Sequence, residues 1–328
     1  MQLRHAPRLN RDLSVIGLGT WQLGADWGDV DEAQARGILE ASFDAGVTFY
    51  DTADVYGAGR SESIVGSFLA DHRGDDLFVA TKMGRQAALD PDNYTLDAFR
   101  GWVDESRTRL GVDRLDLIQL HTLPTETVDA DATYDALDQL VADGSIAHYG
   151  VSVETEGQAL SAIGRPNVAA VQIIVNAFRQ RPLERVLPAA LDAGVAIIAR
   201  VPLASGLLSG KYTRDTLFAA DDHRSYNRHG EKFDAGETFS GVDFETGVDA
   251  AQEFAEYADS QGLTPATAAL AWLVQLPGIT TVIPGARSVE QARANAAAAD
   301  VPALTPEFTQ QVTALYDRAI RPAVHDRW

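Results

Sequence analysis

Asp51, Tyr56, Lys82 and His121 each follow a short apolar run, and together they supply a carboxylate, a phenol, an ammonium and an imidazole. The runs are Thr48-Phe49-Tyr50, Leu77-Phe78-Val79-Ala80 and Leu115 to Leu120. If these are neighbouring parallel strands, the four side chains converge from four consecutive strand ends on one rim of a barrel or sheet, where α/β architectures keep their chemistry. The set suits protonation of a carbonyl oxygen while another group delivers a hydride. A free Tyr titrates near ~10, and an ammonium within hydrogen-bonding range favours the phenolate and lowers that value. Tyr56 beside Lys82 is then a competent general acid. Asp51 holds Lys82 in place and charged, and His121 donates to the carbonyl oxygen, fixing the angle at which a hydride arrives.

Taken singly, each residue has an ordinary explanation: a packed loop tyrosine, a solvated lysine, an aspartate capping the next helix. Taken together at successive strand ends they do not. The chain has only three lysines, Lys82, Lys211 and Lys232, and one of them is here.

The elements that must position these groups follow a repeated joint of helix, Gly and β-branched strand. Asp44-Ala45-Gly46-Val47 leads into Thr48, and Asp192-Ala193-Gly194-Val195 leads into Ala196. Gly suits the joint because the residue just past a helix favours positive φ. The pattern predicts strands at Val15 to Leu18, Thr48 to Tyr50, Leu77 to Thr81, Leu115 to Leu120, Ile146 to Val151, Val171 to Val175, Val195 to Ala199 and Thr281 to Ile283. Helices are expected between them, for example at Asp31 to Ala45, Leu96 to Leu110, Thr133 to Asp143, Val186 to Ala193 and Ser288 to Ala298. Eight such units suit an α/β fold closed as a (β/α)₈ barrel, here expected as one domain spanning 1–328. An open doubly wound sheet is the alternative, but Gly17-Leu18-Gly19-Thr20-Trp21-Gln22 lacks the third Gly of a dinucleotide fingerprint. Met1 to Ser14 is expected to form a hairpin plugging the barrel floor. Leu208 to Thr246, after the seventh strand, is too long for a common βα connection and reads as a functional loop with short helical pieces.

Composition narrows the function classes. The 328 residues include 45% hydrophobic residues, and no apolar stretch approaches the ~20 residues needed to span a bilayer. Met1 to Asn10 lacks the apolar segment of an export signal, so a cytoplasmic location is expected. The absence of Cys excludes disulfides, thiolate metal sites and a Cys nucleophile. The seven His show no ligand spacing, so no metal is expected. A net charge of −20 argues against nucleic acid or an anionic membrane as partner. Abundant acidic residues with scarce lysine fit an ordinary acidic cytosolic protein or, the favoured reading, a surface adapted to high salt, where screening cuts self-repulsion. No protein partner is evident, since nothing in the chain reads as an added interaction domain.

Several ordered motifs carry a family resemblance. Gly17-Leu18-Gly19-Thr20-Trp21, then Asp44 to Gly57 with Asp51-Thr52-Ala53-Asp54-Val55-Tyr56-Gly57, then Ala80-Thr81-Lys82 and Asp116 to His121, resemble the aldo-keto reductases. So do Gly150-Val151-Ser152, Pro202 to Tyr212 and Val282-Ile283-Pro284-Gly285-Ala286-Arg287, in order from about Leu13 to Asn295. The resemblance implies a single (β/α)₈ barrel binding extended NADP(H) across its carboxyl-end rim. It implies Asp51, Tyr56, Lys82 and His121 as a catalytic tetrad, with Tyr56 as proton donor. By the same resemblance Gly19, Thr20, Trp21 and Asp51 line the nicotinamide and substrate, with Trp21, Tyr56 and His121 facing the substrate. Ser152 and Gln172 would hold the carboxamide, and the stretch Pro202 to Lys211, with Leu203, Ser205, Gly206 and Leu207, would cover the pyrophosphate. Gly285, Arg287, Gln291 and Asn295 would clamp the adenosine end. A physical argument agrees on the last point: Pro284-Gly285-Ala286 opens a helix whose first amides can bind phosphate, and Arg287 offers a planar fork for a 2′-phosphate.

The chain departs from the family pattern at three positions. Arg200 stands where many members place a Tyr that stacks on nicotinamide, although a guanidinium also stacks on a planar ring. Val153 replaces a common Asn, and Ala294 stands where an acidic residue often precedes Asn295. The reading is an NADP(H)-dependent reductase converting an aldehyde or ketone to an alcohol. Its alternatives are a cofactor-binding sensor or regulatory subunit that turns over poorly, and a Schiff-base lyase or aldolase with Lys82 as nucleophile. Specificity is expected in the βα loops Gly24 to Val30, Arg85 to Asn93, Leu123 to Asp131 and Leu208 to Thr246 and in the carboxyl tail His325 to Trp328, with Trp21, Trp27 and Phe178 as candidate walls of an apolar pocket.

Overall fold

A computed structural model describes residues 1–24, 30–220 and 222–328. Trp27 and most of the 24–30 loop, expected to shape the pocket, lie outside the described residues. Among the described residues, two strands, β1 (Leu3–Ala6) and β2 (Arg11–Ser14), form an antiparallel hairpin. Eight more form a parallel sheet in sequence order: β3 (Leu18–Gly19), β4 (Phe49–Asp51), β5 (Phe78–Met83), β6 (Leu115–His121), β7 (Ile146–Ser152), β8 (Val168–Ile174), β9 (Ala196–Arg200) and β10 (Thr281–Val282). The sheet closes on itself, because the Gly17 amide donates to the Val282 carbonyl at 2.8 Å and the Gly19 amide to that of Pro284 at 3.1 Å. This is the expected (β/α)₈ barrel.

Differences from the expected strands are small and have local causes. The run Val15 to Leu18 is laddered only at its end, as Leu18–Gly19, since Ile16 meets Val282 through a lone bridge. β8 begins at Val168, three residues early, because the whole run Val168–Ile174 is buried and pairs on both sides.

The surrounding helices form for reasons visible in their residues. In Leu96–Leu110 the buried positions are Phe99, Val103, Ser106 and Leu110, a stripe at helical spacing. Thr95 caps its start by accepting from the Ala98 amide, and Gly111 ends it at φ 67°. The hairpin does cover the barrel floor: Leu9 and Leu13, both buried, cluster with Phe49, Phe78, Leu117 and Ile198 from the barrel interior. Burial of each leucine contributes roughly 1.5–3 kcal/mol, so the hairpin is a structural plug.

With side chains alternating along each strand, the inward positions of neighbouring strands stack in layers. Register pairs Asp51 with Ala80, Lys82 with Gln119, His121 with Ser152, Ser152 with Gln172, and Ile174 with Arg200. The carboxyl-end layer of the barrel is therefore polar, and the apolar layers lie beneath it. The long excursion after β9 holds short helices at Ala204–Ser209, His223–Tyr226, Ala235–Glu237 and Phe239–Gly241 before the helix Phe244–Ser260 begins. No helix of the described residues is long and apolar enough to cross a membrane.

Candidate active site

At the carboxyl rim a cavity of about 950 Å³ opens. Asp51 ends β4, Lys82 sits one residue before the end of β5, and His121 ends β6. Tyr56 is not on a strand of its own. It lies in the loop beyond β4, so three neighbouring strands, and not four, bring the set together. Two strand ends are strained: Thr122 and Val201, the residues just after β6 and β9, have φ of 52° and 51°, a left-handed conformation unfavourable for β-branched side chains.

Lys82 is almost wholly buried and does not face the cavity. Its Nζ donates to Asp51 Oδ1, to the Thr52 carbonyl at 2.8 Å and to Tyr56 Oη at 3.3 Å. Burial pulls the Lys82 ammonium down, but Asp51 and Tyr56 more than reverse this and leave it above the ordinary lysine value. Tyr56 corrects the sequence-based expectation. Dense surroundings push its phenol up, and the Lys82 ammonium reverses only part of this, so the net shift is upward. The phenol is therefore held protonated. His121 meets the Tyr56 ring edge-on at 5.9 Å. Burial, followed by the positive charges of Lys82, Arg85 and Arg200, drives its pKa well below the ordinary value, so the imidazole is neutral. Its buried Nδ1 has no hydrogen-bond partner among the described residues.

Behind this row stands a residue with no role assigned from the sequence. Gln119, fully buried on β6, donates to Asp51 Oδ2 at 3.2 Å, and Gln172 donates to the same oxygen at 2.7 Å. With Lys82 on Oδ1, Asp51 is held from both sides. A period-2 count inward from His121 locates Gln119, since both share one face of β6. Thr20 also works through Asp51: its hydroxyl donates to the Asp51 carbonyl at 2.9 Å.

The cavity brings together all the candidate cofactor residues except Leu207. Left-handed turns at Ser205 (φ 55°) and Gly206 (φ 96°) reverse the chain, and Leu207 points into the core. Phe178 is likewise a core residue and not a pocket wall. Trp21 does face the cavity, stacked on Tyr56 at 6.0 Å between ring centres. The long excursion supplies further walls that no motif marked: Tyr226, Phe233 and Glu237, with Phe233 packed edge-on to Trp21 at 6.0 Å.

Arg200 lines the cavity and is paired with Glu154 at 2.7 Å and with Glu237 of the excursion. Burial pushes the Glu154 carboxyl up against the pull of Arg200. The excursion is tied down again by Trp328, whose indole donates to Asp234 at 2.9 Å under the Arg179 guanidinium. Gly241 (φ 75°) permits this approach, since a Cβ there would lie 2.2 Å from the indole.

At the far end of the cavity the turn Pro284 to Arg287 is held by its own helix. Asn295 donates to the Gly285 carbonyl at 3.1 Å, and Gln291 accepts from the Arg287 amide at 2.8 Å. Arg287 is exposed, and with Lys211 it lines the cavity without a carboxylate partner among the described residues.

Asp54, between Asp51 and Tyr56, stores an electrostatic cost. It is buried, one oxygen accepts from Gln86 at 2.9 Å and the other has no partner among the described residues. Burial first, and Glu62 with it, push its carboxyl up to about 6. The folded state thus binds a proton more tightly than the unfolded chain between the ordinary value of 3.8 and about 6. Stability falls as pH rises through that window, and the penalty is complete above it. Asp54→Asn is expected to stabilise the fold by up to about 3 kcal/mol at pH ~8, shrinking toward zero below pH ~4. Urea denaturation of both proteins at the two pH values checks this, and destabilisation at the higher pH would contradict it.

Comparison with known proteins agrees with this fold. The chain is 34% identical over 325 residues to the "Uncharacterized oxidoreductase Rv2298" of Mycobacterium tuberculosis, covering 96% of this chain and 93% of that protein. The structure of the glycerol dehydrogenase AKR11B4 from Gluconobacter oxydans superposes with a TM-score of 0.79 at 29% identity, over 99% of this chain and 97% of that one. An aldo-keto reductase from Klebsiella pneumoniae, solved in complex with NADPH, gives 0.71 at 27% identity, over 96% of each chain. The profile described as "Aldo/keto reductase family" matches residues 15–317, nearly the full length of the barrel and its rim, and the chain belongs to that family.

Proposed function

We propose that this chain reduces an aldehyde or ketone to an alcohol with NADPH, with Tyr56 as the proton donor. One observation carries the reading: a protonated phenol bonded to a buried ammonium at 3.3 Å, beside a neutral imidazole, on the wall of a cavity that runs to an arginine, unpaired among the described residues, at a helix-opening turn.

The residues present fit a nicotinamide dinucleotide. Ser152 and Gln172 offer hydroxyl and amide groups in the polar layer, and Arg200 offers a flat guanidinium. Lys211 and Arg287, uncompensated among the described residues, offer positive charge where phosphates would need it in a chain of net charge −20. Gly285 keeps the turn open, since a Cβ there would lie 2.2 Å from the Gln22 side chain. When bound, the cofactor supplies the hydride.

The protein's own residues do the rest. Asp51, fixed by Gln119 and Gln172, holds Lys82 charged. Lys82 bonds Tyr56 Oη and stabilises the phenolate left after the proton goes to the substrate oxygen. His121, neutral, can donate one hydrogen bond to that oxygen without adding charge. Trp21 and Phe233 wall the substrate side and exclude water. The same geometry disfavours Schiff-base chemistry, since an ammonium engaged by Asp51, Thr52 and Tyr56 and raised above its ordinary pKa is a poor nucleophile. A panel of aldehydes and ketones, assayed by loss of NADPH absorbance, tests the reading. Turnover of at least one class is the expected result, and none across the panel at low and high salt would contradict it.

A further inference from the structure

Arg85 differs from Arg200 and Arg224 of the same cavity. It lies two residues past β5, partly buried, and lines the same cavity as Trp21, Tyr56 and His121. Among the described residues it makes no hydrogen bond and no ion pair. Arg200 is engaged by Glu154 and Glu237, and Arg224 by Asp222.

Among the described residues the two other uncompensated cations of the cavity, Lys211 and Arg287, follow β9 and β10. Arg85 follows β5, next to His121 on β6. The two positive ends are thus on different sides of the barrel mouth, and the phosphates of a dinucleotide account for only one. Carboxylates outnumber basic residues 47 to 27 in this chain, so a counter-ion for Arg85 is not scarce, yet none meets it among the described residues. The Arg85 charge reaches the reacting side, where it helps keep His121 neutral. A planar fork with open donors beside a phenol and a neutral imidazole is matched by a bidentate oxyanion.

We infer that Arg85 binds an anionic group on the carbonyl substrate, a carboxylate or a phosphate, so that the site prefers acidic aldehydes or ketones to neutral ones. The inference rests on the reductase reading above and names its substrate class. Binding of the anionic tail fixes the carbonyl against Tyr56 and His121.

The test uses matched pairs at constant ionic strength: succinic semialdehyde against butanal, and glyceraldehyde 3-phosphate against glyceraldehyde, each with NADPH and the full chain. The quantity read is the ratio of kcat/KM for the charged member over the neutral one. The wild type is expected to favour a charged member by more than about tenfold. Arg85→Gln is expected to cut that ratio roughly 10- to 100-fold, the range of one charge-assisted contact, mainly through KM. Arg85→Lys is expected to recover part of it. The pair that responds identifies carboxylate or phosphate as the group recognised. A wild-type ratio at or below one for both pairs, or a ratio unmoved in Arg85→Gln, overturns the inference while leaving carbonyl reduction standing. A second readout needs no turnover: calorimetric titration of succinate into the NADP⁺-saturated protein, wild type and Arg85→Gln. Succinate binding lost in the variant, with no carbonyl reduced by either protein, would support the anion subsite and sink the reductase reading instead.

Discussion

Tyr56→Phe is expected to lower kcat for carbonyl reduction by roughly 10²- to 10⁴-fold, the usual worth of a placed general acid. Cofactor affinity should stay close to that of the wild type. The ring packs against Trp21 and His121 through its faces and edge, and Phe keeps those contacts while removing only the oxygen that Lys82 bonds. The pH profile sharpens the prediction. Burial raises the phenol above its ordinary value of 10.0 in spite of the ammonium, so reduction should hold level through mildly alkaline pH and fall only beyond about 10. A collapse centred near neutrality would mean that the Lys82 field outweighs burial at this site. Near-wild-type turnover by Tyr56→Phe would refute the proton-donor role itself.

Arg287→Ala should raise Kd for NADPH by roughly 10- to 100-fold while leaving NADH nearly unaffected, since only the 2′-phosphate needs the guanidinium fork. The residue is exposed, held at its backbone by Gln291 and Gln34 and unpaired at its side chain among the described residues. Removal therefore opens no cavity and strands no carboxylate. Exposure also makes the contact sensitive to screening, so the difference between wild type and variant should narrow as salt rises. Fluorescence titration of both dinucleotides at low and high salt measures it. An NADPH affinity unchanged in the variant would remove Arg287 from the clamp.

How much of this was legible in the chain depends on distance along it. The barrel follows from local signals, since each Gly-marked joint hands a helix to a buried strand and eight repeats leave few topologies. The polar layer at the carboxyl rim follows from period-2 counting, which reaches Asp51, His121 and, with one more step, Gln119. Tyr56 was harder to place because a loop residue has no period, and its pKa was misjudged because proximity to an ammonium is readable from a motif while depth of burial is not. Leu207 shows the same limit: a Gly-rich run names the loop, but left-handed turns at Ser205 and Gly206 decide which side chain faces the cavity. The loops that carry Arg85, Phe233 and Glu237 were legible as specificity loops, but which of their side chains face the cavity depends on tertiary packing. Only the fold shows that the excursion after β9 closes back over the mouth, with Glu237 on Arg200 and Asp234 on Trp328.

The measurement closest to the central claim is isotope transfer from NADPH deuterated at the transferring C4 position to a carbonyl that the protein accepts. The account predicts one deuterium on the carbinol carbon for each NADPH oxidised, with solvent supplying the hydroxyl proton. Tight NADPH binding with no deuterium in any product, or a borohydride-trapped substrate adduct on Lys82, would contradict it.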